Sequence, residues 1–153
     1  IGIDICQNLI QQAPSKPNCN YLVSNCLTIP LPDNSIDYII SIAVIHHLST
    51  PERRLQSLME IKRLLNTGGK ALIYVWAFEQ PKFKNELEQD VMVKWSLQKK
   101  YNEEQQDDIL HRYYHLFKEN ELENMINKID GLNIIENGNQ CHNWYCIIQK
   151  SDR

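Results

Sequence analysis

The sequence has 153 residues, of which 42% are hydrophobic and 23% charged, with 5 Gly and 6 Pro. These proportions are those of one ordinary globular domain and exclude collagen-like, coiled-coil and disordered chains. The formal charge of −3 argues against an unassisted electrostatic attraction to nucleic acid, which depends on clustered Lys and Arg. Every apolar run falls short of the roughly 20 residues that a membrane helix needs, so we expect no membrane association.

Five cysteines (Cys6, Cys19, Cys26, Cys141 and Cys146) occur without a CxxC pair or a secretory leader. An odd number of this kind predicts free thiols in a reducing compartment. The sequence begins at Ile1, inside an apolar stretch and without an initiator Met. We therefore expect it to be part of a longer protein.

The first half of the sequence alternates short apolar segments with amphipathic ones. We predict strands at 1–5, 21–23, 36–43 and 71–76, and helices at 8–13 and from Thr50 to about 66. The second helix starts with Pro51 at its first position and Thr50 as its cap, or with a capping box of Ser49 and Glu52. Asn66-Thr67-Gly68-Gly69 ends it. Such alternation predicts an α/β fold with a mostly parallel sheet.

The second half has a different character. Residues 78–110 are polar and poorly periodic, and we predict an insertion or lid there. A helix is predicted at 119–129, closed by Gly131. Residues 132–136 and 144–149 are predicted to form a terminal hairpin that turns around Gly138 and lies antiparallel to the other strands.

Polar residues follow the predicted strands where each strand ends. Asp4, Asn25 and the segment from Ser41 to His46-His47 occupy these positions, where parallel sheets bind ligands. Asp4 suits a carboxylate that accepts hydrogen bonds from a ribose diol, or one that caps a helix. Asn25 suits an acceptor for an adenine amino group, or a turn residue. The pattern indicates a nucleotide-type ligand.

Metal and hydrolase motifs are incomplete. His46 and His47 are adjacent without a third ligand at a useful spacing, and His111 and His115 lack the Glu of the zinc protease motif. We expect no metal site. The sequence contains no GxSxG, no P-loop and no complete GxGxxG. The glycine loop that would precede Asp4 in a nucleotide-binding domain would lie upstream of Ile1.

The string from Ser41 to Thr50, Ser-Ile-Ala-Val-Ile-His-His-Leu-Ser-Thr, is followed by Glu52-Arg53-Arg54. It resembles the class I S-adenosylmethionine-dependent methyltransferases that convert 5-carboxymethyluridine at the wobble position of eukaryotic tRNA into its methyl ester. The further blocks that fit this family are 69–77 with Glu79-Gln80, 89–93 with Trp95, 112–115 with Glu119 and Glu121-Leu122, Asn143-Trp144, and 147–150. The resemblance runs nearly end to end.

The resemblance implies a Rossmann-like sheet in the strand order 3-2-1-4-5-7-6, with strand 7 antiparallel. This sequence would lack the N-terminal central strand and its glycine loop, so residues 1–153 would form a single but incomplete domain. The two strands at one edge would then be separated from the other four. We expect the 153 residues alone neither to bind S-adenosylmethionine tightly nor to turn over.

The resemblance also implies the site residues. Asp4 would bind the ribose of S-adenosylmethionine, Asn25-Cys26 the adenine, and Ser41-Ile42-Ala43 would line the floor beneath the methionine moiety. The residues implied to border the substrate pocket are His46, His47, Arg112, Tyr113, Tyr114 and His115. Asn25 stands where the family usually has Asp, and Cys26 where it has Ala.

A carboxylate acceptor is ionised at pH 7, since its pKa is about 4, so methyl transfer to it needs alignment and no general base. Arg112 and His115 are candidates to orient it, although the 112–115 block also suits a packed strand-to-helix junction. S-adenosylhomocysteine would be the product.

The resemblance implies two partners, the tRNA anticodon loop and a small zinc-binding activator subunit. It also implies a location in the cytoplasm and also the nucleus. Two alternatives stay open at this point. One is a methyltransferase of another small acceptor, and the other is a non-catalytic methyltransferase-like scaffold.

Overall fold

The computed structural model describes residues 1–14, 16–95 and 110–152. The strands are β1 (Gly2–Asp4), β2 (Tyr21–Val23), β3 (Ile36–Ile42), β4 (Leu65–Trp76), β5 (Asp90–Trp95), β6 (Leu110–His115), β7 (Leu132–Gln140) and β8 (Asn143–Lys150). The helices are α1 (Gln7–Gln12), α2 (Pro51–Leu64) and α3 (Glu121–Ile126), with single 3-10 turns at Ile45–His47 and Pro81–Phe83. The predicted α/β class is confirmed.

The strands form three separate sheets. The largest has the order β3-β4-β8-β7, with β3 parallel to β4 and β8 antiparallel to both of its neighbours. β1 and β2 form a parallel pair, and β5 and β6 an antiparallel pair. In the largest sheet β3, β4, β8 and β7 correspond to strands 4, 5, 7 and 6 of the expected order. The place of the β1–β2 pair in that order stays a prediction.

Helix α2 begins as the first of the two predicted caps requires. The Arg53 N–H donates to Thr50 Oγ1 at 3.3 Å, and Pro51 lies in the first turn. Helices α2 and α3 then pack against the larger sheet and bury its apolar side chains. The fully buried members of this core include Leu58, Ile73, Phe117, Leu122, Ile126 and Ile148. None of the helices in the described ranges is long and apolar enough to cross a bilayer.

The terminal hairpin turns at a different place from the one predicted. Its turn residues are Cys141 and His142, with φ of 49° and 61°, so the prediction of a turn around Gly138 is wrong. Gly138 lies inside β7 opposite Tyr145. A Cβ atom at this position would lie 3.2 Å from the Tyr145 ring. Gly138 therefore leaves space for the Tyr145 ring on the face of the sheet and does not form the turn.

Two predicted boundaries also shift. β4 begins at Leu65, which pairs with Ile36, and the next pair is Tyr38 with Lys70. The residues predicted to end α2, Asn66-Thr67-Gly68-Gly69, therefore bulge out of the strand. Gly68 has a φ of 79° in this bulge. α3 is shorter than the predicted 119–129, because Asn120, with a φ of 62°, precedes its first turn.

Part of the predicted insertion is a strand. β5 pairs with β6 from Asp90 opposite His115 to Trp95 opposite Leu110. Val91 is buried with Phe83, Tyr114 and Leu116 in a small second core. Residues 96–109 lie outside the described part of the chain, and the role of 78–110 as a lid stays a prediction.

Candidate functional site

A cavity of about 850 Å³ lies where β1, the loop after β2 and β3 reach their carboxyl ends, as predicted for a parallel sheet. The predicted site residues that line it are Asp4, Asn25, Cys26, Ser41, Ala43, His47, Arg112 and Tyr113. Residues far apart in the sequence therefore share one cavity. Four further predicted residues, Ile42, His46, Tyr114 and His115, are not in its wall.

Asp4 lies at the end of β1 and combines a hydrogen bond to the backbone with a place in the cavity wall. Its Oδ1 accepts the Cys6 N–H at 2.7 Å, next to the start of α1. That bond orients the carboxylate, which still lines the cavity. A carboxylate has about four acceptor positions, so it can bond to a backbone N–H and to a ligand hydroxyl together.

Asn25 likewise combines a turn with a place in the cavity wall. Its Oδ1 accepts the Leu27 N–H at 3.0 Å, which forms a side-chain turn. The amide oxygen has a second lone pair that a ligand amino group can use. Cys26 is half-buried beside it.

Helix α2 holds the loop that carries Asn25. Arg63 donates to the carbonyl oxygens of Ile29 at 2.8 Å and Leu31 at 2.9 Å. Glu60 accepts the Ile29 N–H at 2.6 Å and is bonded to Arg63. The hydrogen bonds from Arg63 outweigh the effect of burial and hold the pKa of Glu60 below its usual value. The loop is thus fixed at several backbone positions.

The end of β3 forms the floor of the cavity. Ser41 is buried, and Ala43 has a φ of 57°, in the left-handed region that a residue with a Cβ rarely adopts. The Ala43 N–H donates to the Tyr74 carbonyl oxygen at 2.9 Å, which holds this turn in place. Ile42 points elsewhere and is 52% exposed, because successive side chains of a strand alternate between faces.

The two adjacent histidines have different environments. His47 lines the cavity, and its Nδ1 lies 3.0 Å from the Tyr113 carbonyl oxygen. A carbonyl oxygen only accepts, so Nδ1 carries the proton and Nε2 is an acceptor in the neutral ring. His46 is fully buried behind it, and burial, with smaller effects of His47 and His115, lowers its pKa to about 3. His46 is therefore a neutral packing residue.

Arg112 and Tyr113 form the wall that β6 contributes. Tyr114 lies behind them, stacked on Trp76 with 4.3 Å between ring centroids and an interplanar angle of 7°. His115 is also buried, and each of its ring nitrogens is bonded to a carboxylate. Of the two candidates to orient an acceptor, Arg112 reaches the cavity and His115 does not.

The structure adds functional residues to which the sequence assigned no role. Asp90 accepts the Tyr113 hydroxyl at 2.6 Å, and Glu121 contacts His115. Both residues lie within the blocks that carry the family resemblance. The contact of Asp90 follows from the β5–β6 register and that of Glu121 from the position of α3, and no local spacing reveals either.

The residues of the cavity fit S-adenosylmethionine. The wall offers a carboxylate for a ribose diol, an amide oxygen for an adenine amino group and apolar surface from β3. Asp4, Asn25, Ser41 and Ala43 are the residues that would hold it.

Comparison with known proteins gives the family. A family described as "Methyltransferase domain" matches residues 1–73. The tRNA (carboxymethyluridine(34)-5-O)-methyltransferase of Schizosaccharomyces pombe is 36% identical, over 99% of this chain and 72% of that protein. The chain belongs to the tRNA carboxymethyluridine methyltransferase family. Another relative, the Xenopus tropicalis methyltransferase alkbh8, is 32% identical over 98% of this chain, which spans 32% of that longer protein.

Solved structures agree on the fold of this family member. The PH0226 protein of Pyrococcus horikoshii has a TM-score of 0.75 at 15% identity, over 98% of this chain and 70% of that one. A Haloferax volcanii methyltransferase in complex with the Trm112 methyltransferase activator has a TM-score of 0.70 at 14% identity, over 99% and 71%. The fold is that of class I S-adenosylmethionine-dependent methyltransferases.

Proposed function

We propose that this chain carries the greater part of an enzyme domain that methylates the carboxylate of 5-carboxymethyluridine at the tRNA wobble position. S-adenosylmethionine is the methyl donor and S-adenosylhomocysteine the product. One observation carries the proposal. A single cavity joins the residues suited to the donor, such as Asp4 and Asn25, to the wall formed by Arg112 and Tyr113.

The residues of the cavity supply binding and orientation. S-adenosylmethionine supplies a methyl group on a positively charged sulfur, which an ionised carboxylate can attack without a base. The Arg112 guanidinium suits a carboxylate in charge and in geometry. His47 Nδ1 donates to the Tyr113 carbonyl oxygen, which leaves Nε2 of His47 as an acceptor at the same wall of the cavity. The rate advantage comes from holding the reacting atoms in line.

The domain is incomplete in this proposal. Apolar side chains surround the cavity between β1 and β3, and they are unusually exposed, at 65% for Ile1, 71% for Ile5, 77% for Tyr38 and 71% for Ile40. Among the described residues, β1 pairs with β2 and β3 with β4, so each of these two strands has one free edge. A further parallel strand supplied by residues outside this chain would cover them.

The enzyme acts on the tRNA anticodon loop together with a small zinc-binding activator subunit. The likeness in fold to the methyltransferase of the Haloferax volcanii complex supports the activator. We place the enzyme in the cytoplasm and also in the nucleus.

Binding of S-adenosylmethionine by calorimetry tests the proposal first. This chain is compared with a version extended upstream by on the order of 40 residues, enough for one strand, loop and helix. We expect only the extended protein to bind. Tight binding by the 153 residues alone would contradict the proposed incompleteness, and binding by neither would favour a scaffold.

Methyl transfer tests the acceptor. The extended protein with its activator is given tRNA that contains wobble 5-carboxymethyluridine, and the same tRNA with unmodified uridine. Methyl ester is expected on the first tRNA alone, and Arg112→Gln is expected to raise KM for the tRNA. An extended protein that binds S-adenosylmethionine but leaves this tRNA unmodified would point to another small acceptor.

A further inference from the structure

His115 lies between two carboxylates that come from different elements. Its Nδ1 is 2.7 Å from Asp90 Oδ1, and its Nε2 is 2.6 Å from Glu121 Oε1. The ring is 6% exposed. Carboxylates only accept, so both bonds form together when the ring is the doubly protonated imidazolium. The buried ring therefore joins the β5–β6 hairpin to α3.

Glu121 is itself held firmly. Its Oε2 accepts the Lys118 N–H at 3.1 Å and the side-chain amide of Gln89, which also donates to the Leu116 carbonyl oxygen. Burial raises the pKa of Glu121, but the bonds from His115 and its neighbours outweigh burial and keep the pKa below its usual value. The carboxylate is thus a fixed anchor for His115.

Asp90 links His115 to the cavity through hydrogen bonds. The same Oδ1 that faces His115 accepts the Tyr113 hydroxyl at 2.6 Å. Tyr113 lines the cavity beside Arg112. Asp90 is 56% exposed, so without its partners its carboxylate can rotate in solvent. The Tyr113 hydroxyl also lies 3.3 Å from the Ser49 carbonyl oxygen, so Asp90 provides the shorter of these two contacts.

We propose that His115 is a positioning residue that acts on the acceptor through Asp90 and Tyr113, which rests on the proposed function of the cavity. The imidazolium compensates the negative charge of Asp90 and fixes its orientation. Tyr113 then stays bonded to Asp90, away from the acceptor carboxylate. Arg54 also interacts with Asp90, so loss of the imidazolium removes one of two compensating charges and leaves a more negative group next to the cavity, which repels an acceptor carboxylate.

A double-mutant cycle on the whole protein tests this proposal. His115→Gln is expected to raise KM for the tRNA acceptor about tenfold, with kcat and S-adenosylmethionine affinity little changed, since a charge-assisted bond is lost. In a Tyr113→Phe background the same change has little further effect, because the link to the cavity is already cut. Equal losses in both backgrounds, or no loss in either, would overturn the proposal. His111→Gln, an exposed site on the same strand, is the matched control.

A measurement without activity separates this proposal from the function on which it rests. Nitrogen-15 NMR is expected to show His115 with both ring nitrogens protonated at pH 7, and the Tyr113 ring signals are expected to move in His115→Gln but not in His111→Gln. A neutral His115 ring, or an unmoved Tyr113, overturns the proposal even if the protein methylates tRNA. If neither wild type nor variant methylates tRNA and the NMR result holds, the link stands and the function fails.

Discussion

The main-chain N–H of Trp76 donates a hydrogen bond of 3.1 Å to Nδ1 of His46. This bond needs an unprotonated Nδ1, so it selects the neutral ring with its proton on Nε2. His46 is fully buried and packs against Tyr114, with 5.1 Å between ring centroids. Protonation of His46 is therefore coupled to unfolding of the domain.

His46 should make the protein sensitive to mild acid. Its folded pKa of about 3 lies below the ordinary 6.5, so below pH 6.5 the unfolded state takes up a proton that the folded state does not. Stability present above pH 6.5 is then lost progressively as the pH falls toward about 3, by up to about 1.4 kcal/mol per pH unit. His46→Asn, which keeps an acceptor for Trp76, should flatten this slope in denaturant unfolding. An unchanged slope would contradict the assignment, and His111→Gln is the control.

Asn25→Asp should tighten S-adenosylmethionine binding severalfold. The family resemblance places Asp at this position, and an ionised acceptor forms a stronger hydrogen bond to an amino group than an amide oxygen does. The Leu27 N–H can still bond to the new side chain. Calorimetry on the whole protein measures the effect. Asn133→Asp adds the same charge at an exposed position outside the cavity, and equal gains in both variants would show a general charge effect instead.

The cysteines should differ in reactivity. All five are free, as the sequence predicted, and burial raises the pKa of Cys146 to about 12. Its thiol should stay unmodified by iodoacetamide at pH 8 in the folded protein, because the thiolate is the nucleophile. S-adenosylhomocysteine should protect Cys6 and Cys26, which line the cavity, but not Cys19. Mass spectrometry of the labelled peptides measures the protection. Equal protection of all thiols outside the core would contradict ligand binding in this cavity.

Arg63→Lys should loosen the loop that carries Asn25. A lysine ammonium cannot reproduce the planar set of bonds that Arg63 makes to Glu60 and to the carbonyl oxygens of Ile29 and Leu31. We expect a lower melting temperature and faster amide exchange in the loop. Arg53→Lys, at an exposed position in the first turn of α2, is the control and should leave both unchanged.

The order of the main elements could be predicted because apolar runs bounded by Pro, Gly and Asn mark buried strands. β3 and α2 are examples, with starts at Ile36 and Pro51. β5 and β6 could not be predicted, since their pairing depends on a register between distant segments. The turn at Cys141-His142 carries no Gly, Asn or Asp, the usual signals of a tight turn, whereas Gly138 lies inside a strand.

The site could be predicted as far as strand ends determine it. Asp4, Asn25 and Ala43 line the cavity because each follows or ends a strand of a parallel sheet. The choice between His46 and His47 could not be made, since both lie in one 3-10 turn. The burial of His115 between Asp90 and Glu121 is likewise a tertiary result of the hairpin and α3.

The walls of the cavity come from all three sheets, which share no strand pairing in the described ranges. A ligand that contacts Asp4 on one sheet and Ser41 on another therefore adds to the pairing that the proposed further strand would supply between them. Its binding free energy becomes part of the cohesion of the domain, and grows with free ligand as RT ln(1 + [L]/Kd). The fraction of the protein that is folded would then rise with the concentration of the methyl donor.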